Sequence, residues 1–150
     1  MPAALHSEAV FAALLGGPQN GRWLIAPLDQ NARRSRAYRG DTGILETRFE
    51  TDTGVATVID FMPLQQTEGQ NDLIRIVRGD KGRLRFRTEI VLRFDYGRGI
   101  PWVRQHHGGP SAVSGPNAVQ FITPVHLRGT PELTTVGEFE VAEGERCRSR

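Results

Sequence analysis

The sequence predicts an all-β protein, an antiparallel β-sandwich with one short N-terminal helix, and three observations carry that expectation. Residues 84–96, LRFRTEIVLRFDY, sort at a period of two: Leu84, Phe86, Ile90, Leu92 and Phe94 share one side, and Arg83, Arg85, Arg87, Glu89, Arg93 and Asp95 share the other. Successive side chains of a strand point to opposite faces, so this pattern specifies one face in a core and one in water. From Gly21 onward, brief β-rich runs are broken by turn residues at the spacing of a sandwich. The breaks are short and rich in Gly, Asp, Asn and Pro, which joins neighbouring runs as hairpins and makes their pairing antiparallel.

The elements follow in order. Residues 7–15, SEAVFAALL, hold Ala9, Val10, Ala13 and Leu14 at helical spacing, with Ser7 as N-cap and Gly16-Gly17-Pro18 as the stop. Strands are expected at 23–27, at 44–51 after Gly40-Asp41-Thr42-Gly43, and at 55–62 across the turn Asp52-Thr53-Gly54. In the third of these, Val55, Thr57, Ile59 and Phe61 share a side, and Pro63, unable to donate to a ladder, ends it. A polar loop at 65–72 leads to strands at 73–78 and 84–96, read as a hairpin across Gly79-Asp80-Lys81-Gly82. Further runs at 102–105, 111–114, 118–123 and 134–141 bring the expectation to about nine strands of roughly the usual length.

Composition narrows the function classes. A chain of 150 residues suits one domain and, at that size, folding buries about 68–70% of the unfolded surface, enough for a core without staples. No apolar run approaches the length of a membrane span and no basic-then-apolar signal segment opens the chain, so the expected location is the cytoplasm. Cys147 is the sole cysteine, which excludes an internal disulfide and a cysteine metal cluster. Lys81 is the only lysine among nineteen basic residues. Arginine suits phosphate recognition, but the net charge is only +2 and no basic block is interleaved with aromatics. Arg83, Arg85, Arg87 and Arg93 are therefore expected to pair with acidic residues of neighbouring strands, and no nucleic-acid partner is expected.

Catalytic constellations are sparse. His106-His107 would point to opposite faces of a strand and share no ion, and no further ligand stands at metal spacing, so neither metal nor cofactor is expected. Glycoside hydrolysis needs two carboxyl groups about 5–9.5 Å apart, whereas Glu46 and Glu50 on one strand face lie about 13 Å apart along an extended chain. Asp60 reads as a strand residue bonded to a nearby arginine. No Gly-x-Ser-x-Gly elbow and no glycine-rich phosphate loop opens a helix. The remaining cluster is Asp95-Tyr96-Gly97-Arg98-Gly99-Ile100-Pro101-Trp102, in which Asp95, Tyr96, Arg98 and Trp102 are the candidates for an interface or for stacking on a sugar.

Several strings stand in the order and spacing of a known family: Tyr38-Arg39-Gly40-Asp41-Thr42, Leu45-Glu46-Thr47, Val58-Ile59-Asp60-Phe61-Met62-Pro63, Ile74-Arg75-Ile76-Val77-Arg78-Gly79 and Leu92-Arg93-Phe94-Asp95-Tyr96-Gly97-Arg98. Phe11-Ala12-Ala13-Leu14-Leu15-Gly16, Gly21-Arg22-Trp23 and Pro101-Trp102-Val103 fit as well. The chain resembles, from about residue 11 to residue 145, the N-terminal domain of bacterial glycoside hydrolase family 15 proteins, the trehalase-like or glucoamylase-like enzymes.

The resemblance implies an antiparallel β-sandwich that precedes a helical (α/α)6 barrel in full-length relatives. There the barrel carries the two glutamates that hydrolyse α-glucosidic bonds with inversion. No residue here matches those glutamates, so no catalytic residue carries over. Two departures stand out. Residues 1–10 replace a Gly-Ser-Ile-Asp-Trp string that opens relatives, and Arg146–Arg150, RCRSR, does not read as an apolar strand continuation. The expectation is a domain truncated at both ends, whose uncovered sheet edges favour a homo-oligomer or pairing with a separate helical catalytic chain. The alternative is a free-standing carbohydrate-binding module for α-glucans, with Trp102 and Tyr96 as its stacking platforms.

Overall fold

Turn residues cut the chain into strands β1 (Arg22–Pro27), β2 (Arg33–Tyr38), β3 (Leu45–Glu50), β4 (Gly54–Phe61), β5 (Ile74–Val91), β6 (Trp102–His106), β7 (Gly109–Ser114), β8 (Asn117–Gln120), β9 (Arg128–Gly129), β10 (Thr135–Ala142) and β11 (Arg146–Ser149). The computed structural model describes residues 10–14, 16–64, 71–95, 99–106, 109–115 and 117–150, with backbone alone at 105 and 106. Every strand pair with a described register is antiparallel, as the hairpin spacing predicts. The described residues group into two compact units.

One unit comprises Ile25–Arg87, Thr123–Val125 and Glu138–Arg150. Its strands run in the order β2-β3-β4-β5-β10, with β11 also paired to β5. The β2–β3 and β3–β4 hairpins close across Gly40-Asp41-Thr42-Gly43 and Asp52-Thr53, where Arg39 N donates to Ile44 O at 2.9 Å and Thr51 N to Gly54 O at 2.9 Å. The core is built on Phe86, fully buried, which stacks on Phe139 at 5.7 Å between ring centroids and meets the edge of Phe49 at 6.0 Å. Ala56, Val58, Val77, Leu84 and Val141 are buried in the same unit.

The other unit comprises Thr88–Ile122, His126–Gly137 and the described residues of Met1–Leu24. Here β6, β7 and β8 form a three-stranded sheet, and β9 pairs the start of β10. Ala112 and Phe121 pack with Ile90, Leu92 and Phe94 in one apolar cluster, flanked by Trp23, Val119 and Leu127. Trp23 sets its ring edge-on to Phe121 at 4.8 Å and donates its indole N–H to Thr88 Oγ1 at 3.1 Å, so both its apolar body and its polar tip are satisfied.

Several expectations need correction. The chain does not turn at Gly79-Asp80-Lys81-Gly82; β5 runs straight through it for 18 residues. Opposite Val55 and Ala56 stand Lys81 and Gly79, leaving Asp80 as an extra, unpaired residue, a β-bulge. Its glycines serve close approach: a Cβ at Gly79 would fall onto the Ala142 carbonyl oxygen, and Gly82 takes φ +61° against Thr53 O.

The strand expected to reach residue 96 ends at Val91, and its ionic side is not uniformly solvated. Arg83, Arg85 and Arg87 are exposed, but Glu89 and Arg93 are buried. Residues 54–59 of β4 are likewise buried on both faces, because β4 is an interior strand, so Ala56 and Val58 are as covered as Val55 and Ile59.

Of the helix expected at 7–15, residues 7–9 and 15 lie outside the described residues, and 10–14 form a bend and a turn. Ala12 N and Ala13 N donate to Asn20 O and Gly21 O, at 3.1 and 3.2 Å, and so make no i→i−4 ladder. The helical turn present is a 3-10 turn, Pro18–Asn20.

Three strands were not expected. β2, Arg-Arg-Ser-Arg-Ala-Tyr, is exposed at every residue and so shows no apolar alternation; its arginines mark a charged sheet edge. β9 is only two residues long. β11 is the Arg146–Ser149 segment that lacks an apolar pattern, and it pairs Cys147 with Val77.

A candidate binding face on the three-stranded sheet

The β6–β7 and β7–β8 registers set which side chains share a face. His106 pairs Gly109 and Ser114 pairs Asn117, each across a two-residue loop. That register puts Trp102 opposite Val113 and Val113 opposite Ala118, and in the next row Arg104 opposite Ser111 and Ser111 opposite Gln120. Directly paired residues of a sheet lie on one face. The opposite face carries Pro110 and Ala112, both buried, and Val119, which joins the apolar cluster. Apart from Val103, 47% exposed on the edge strand, that face is covered, and the Trp102 face is the one turned outward.

Trp102 is 81% exposed and Val113 50%, with Arg104, Ala118 and Gln120 exposed around them. A tryptophan ring left in water on a flat strand surface keeps a large apolar area uncovered, of the order of 150–250 Å² when such a ring is finally buried. Arg104 and Gln120 supply donors and an acceptor in the row beside it. The arrangement is suited to a flat partner with an apolar face and a hydroxyl-rich rim, or to an apolar ridge of another domain.

The other candidates fall out separately. Phe94 and Gly99 exchange two backbone hydrogen bonds, each 2.9 Å, closing a tight loop. Asp95 begins that loop, half-buried, with φ +49°, a left-handed value that Asp tolerates better than most residues. Tyr96 and Arg98 lie outside the described residues. Among the described residues, no hydrogen bond joins Asp95 to Trp102. Arg104, Val113 and Gln120 were not singled out by sequence; once His106 is set against Gly109 and Ser114 against Asn117, period-two counting from Trp102 finds them.

The carboxylates considered for acid–base work are engaged by arginines. Arg39 binds Glu46, Arg33 binds Glu50 at 2.8 Å, and Arg75 grips Asp60 with two bonds of 2.8 and 3.1 Å. Arg22 pairs the buried Glu89. Arg83 and Arg85 reach Glu140 and Glu138 at 2.9 and 3.1 Å, the cross-strand pairing that the alternating pattern predicts. Arg93 departs from it, donating to carbonyls. His106 ends β6, and His107 lies outside the described residues. Among the described residues, no helix is long and apolar enough to cross a membrane.

Comparison with known proteins adds one finding. The model of the family described as trehalase-like, N-terminal, matches residues 2–124. No curated protein and no solved structure matches the chain significantly.

Proposed function

Because the chain belongs to the trehalase-like N-terminal domain family, we propose that it is a non-catalytic β-domain of a family 15-like glycoside hydrolase, supporting and docking on a helical catalytic domain in cis or in trans. The reaction of the whole is hydrolysis of α-glucosidic bonds, of the trehalase or glucoamylase type, in the cytoplasm. The observation that carries the docking role is Trp102, 81% exposed on the outward face of the edge strand β6. Asp95, Tyr96 and Arg98 are the further candidates for this interface by their closeness to Trp102 in sequence. The carboxylates tied to arginines leave catalysis to the partner.

The test mixes the chain with the helical domain of a family member stripped of its own N-terminal domain. The expected result is a complex by gel filtration, weakened about thirtyfold by Trp102→Ala, as a hot-spot truncation of about 2 kcal/mol gives. The chain alone is expected to release no glucose from trehalose or maltose. Unaided release would overturn the proposal.

A second reading, a free-standing α-glucan-binding module, is favoured by the donors of Arg104 and Gln120 beside the Trp102 ring. It predicts calorimetric binding of maltooligosaccharides, lost in Trp102→Ala, with no other protein present. Absence of heat with maltose, maltooligosaccharides and trehalose would sink it.

A further inference from the structure

Arg93 is 8% exposed, yet its partners are two backbone carbonyls: Nη1 donates to Leu92 O at 2.8 Å and to Leu133 O at 3.4 Å. Among the described residues, no carboxylate forms an ion pair with it. The contrast with Arg75 is direct, since that guanidinium is also mostly buried and is matched by Asp60 in two bonds. A cation withdrawn from water needs an opposite charge or a full set of acceptors. A guanidinium offers five N–H donors in a planar fork; among the described residues only Nη1 meets an acceptor, and Nε and Nη2 are not among the buried unpaired atoms.

The side chain lines a cavity of about 300 Å³ whose walls include Ile90, Pro101, Val103, Thr130 and Leu133. Thr130 brings a buried hydroxyl that makes no hydrogen bond. The exposed Glu132 carboxylate lies beside it, and the Thr130 side chain draws that group's pKa down. Leu133, whose carbonyl Arg93 holds, sits at φ +58°, so the segment forming this wall is fixed in a conformation that leucine rarely adopts.

We propose that this cavity binds a small organic carboxylate, its acid group held by the fork of Arg93 and the Thr130 hydroxyl, its carbon chain against Ile90, Pro101 and Val103. The chemistry selects among anions. One guanidinium and a hydroxyl match the two oxygens of a carboxylate. A phosphate dianion would call for more donors than these walls supply, and an apolar lining favours a short alkyl tail over a bare ion.

The experiment titrates the whole chain with sodium butyrate, acetate, phosphate and chloride at constant ionic strength, reading thermal midpoint and binding heat. Butyrate is expected to raise the midpoint saturably and more than acetate, with phosphate and chloride inert. Arg93→Gln is expected to weaken butyrate binding at least tenfold, and Thr130→Val severalfold. Equal responses to chloride and butyrate, or undiminished binding in Arg93→Gln, would overturn the proposal. Should Arg93→Gln fail to fold, the side-chain Nε–H resonance of Arg93 in the unmutated chain decides: a saturable shift with butyrate supports the site, and an unmoved resonance refutes it.

Discussion

Arg78 Nε donates to the Asp80 carboxylate at 2.6 Å from two residues away in the same strand, a contact that exists because Asp80 is the bulged residue of β5. Neighbours at i and i+2 share a face of a strand, and the bulge's extra twist lets the two side chains meet. The Thr57 hydroxyl of β4 donates to the same carboxylate, and Arg48 of β3 stands 4.0 Å away, so one acid ties three strands of the sheet together.

Asp80→Ala is therefore expected to cost about 1–3 kcal/mol, because it takes from the Thr57 hydroxyl and Arg78 Nε the acceptor they share. Arg85→Gln, which removes an exposed pair with Glu138, is expected to change stability by under about 1 kcal/mol. Urea unfolding of both variants checks the contrast, and equal effects would contradict it. The Asp80 effect should also survive high salt better, since partly buried charges are screened less.

The glycines of the same segment make a second prediction. Gly79→Ala would push a methyl group onto the Ala142 carbonyl oxygen, in backbone that cannot swing away like a side-chain tip. The expected loss is about 1–3 kcal/mol or more. Gly129→Ala meets no atom within 4 Å and is expected to be neutral or slightly stabilising. Denaturant midpoints of the two variants decide the matter, and a tolerated Gly79→Ala would mean that the approach of residues 142 and 79 is looser than described.

Phe86 is the third. It is fully buried, stacked on Phe139 and edge-on to Phe49, so truncation removes both ring contacts and opens a void between three strands. Phe86→Ala is expected to cost about 3–5 kcal/mol, and Phe86→Leu distinctly less, since most of the volume is kept. Thermal unfolding with near-ultraviolet circular dichroism reads both the stability and the fixed environment of the rings.

How far the sequence could be read depended on whether a strand has one wet face. Leu84, Phe86, Ile90, Leu92 and Phe94 are all buried as their alternation predicts, because the pattern there is set against exposed arginines for most of its length. Strand β4 shows why alternation fails elsewhere: an interior strand covered on both sides has no polar face to alternate with. Strand β2 fails in the opposite sense, having no apolar residue that needs covering and so no signal at all. Gly79-Asp80-Lys81-Gly82 has the composition of a hairpin turn, yet the same residues suit a bulge, and only the register against Val55 and Ala56 separates the two. At the candidate face, Trp102 was legible as a large ring beside a glycine-rich turn, whereas its neighbours Val113 and Arg104 depend on cross-strand register. The burial of Arg93 was hidden altogether, since sequence placed that residue among solvated arginines.

Cys147 gives the last prediction. Its place in β11, opposite Val77, partly removes the sulfur from water, and burial pushes the thiol pKa up because the thiolate is the form that loses hydration. At pH 8 the folded chain then holds less thiolate than a free cysteine does, so a disulfide reagent should react more slowly with the native protein than with the protein in urea. The linkage has a definite sign. A folded thiol that keeps its proton longer than the unfolded one binds more protons in the native state, so stability falls as pH rises past the ordinary thiol range near about 8.5. Urea midpoints at pH 7 and pH 9.5 should show this decline reduced in Cys147→Ala, the rest of the pH dependence being common to both proteins. A decline of equal size in the variant would assign it to other groups and place the thiol in water.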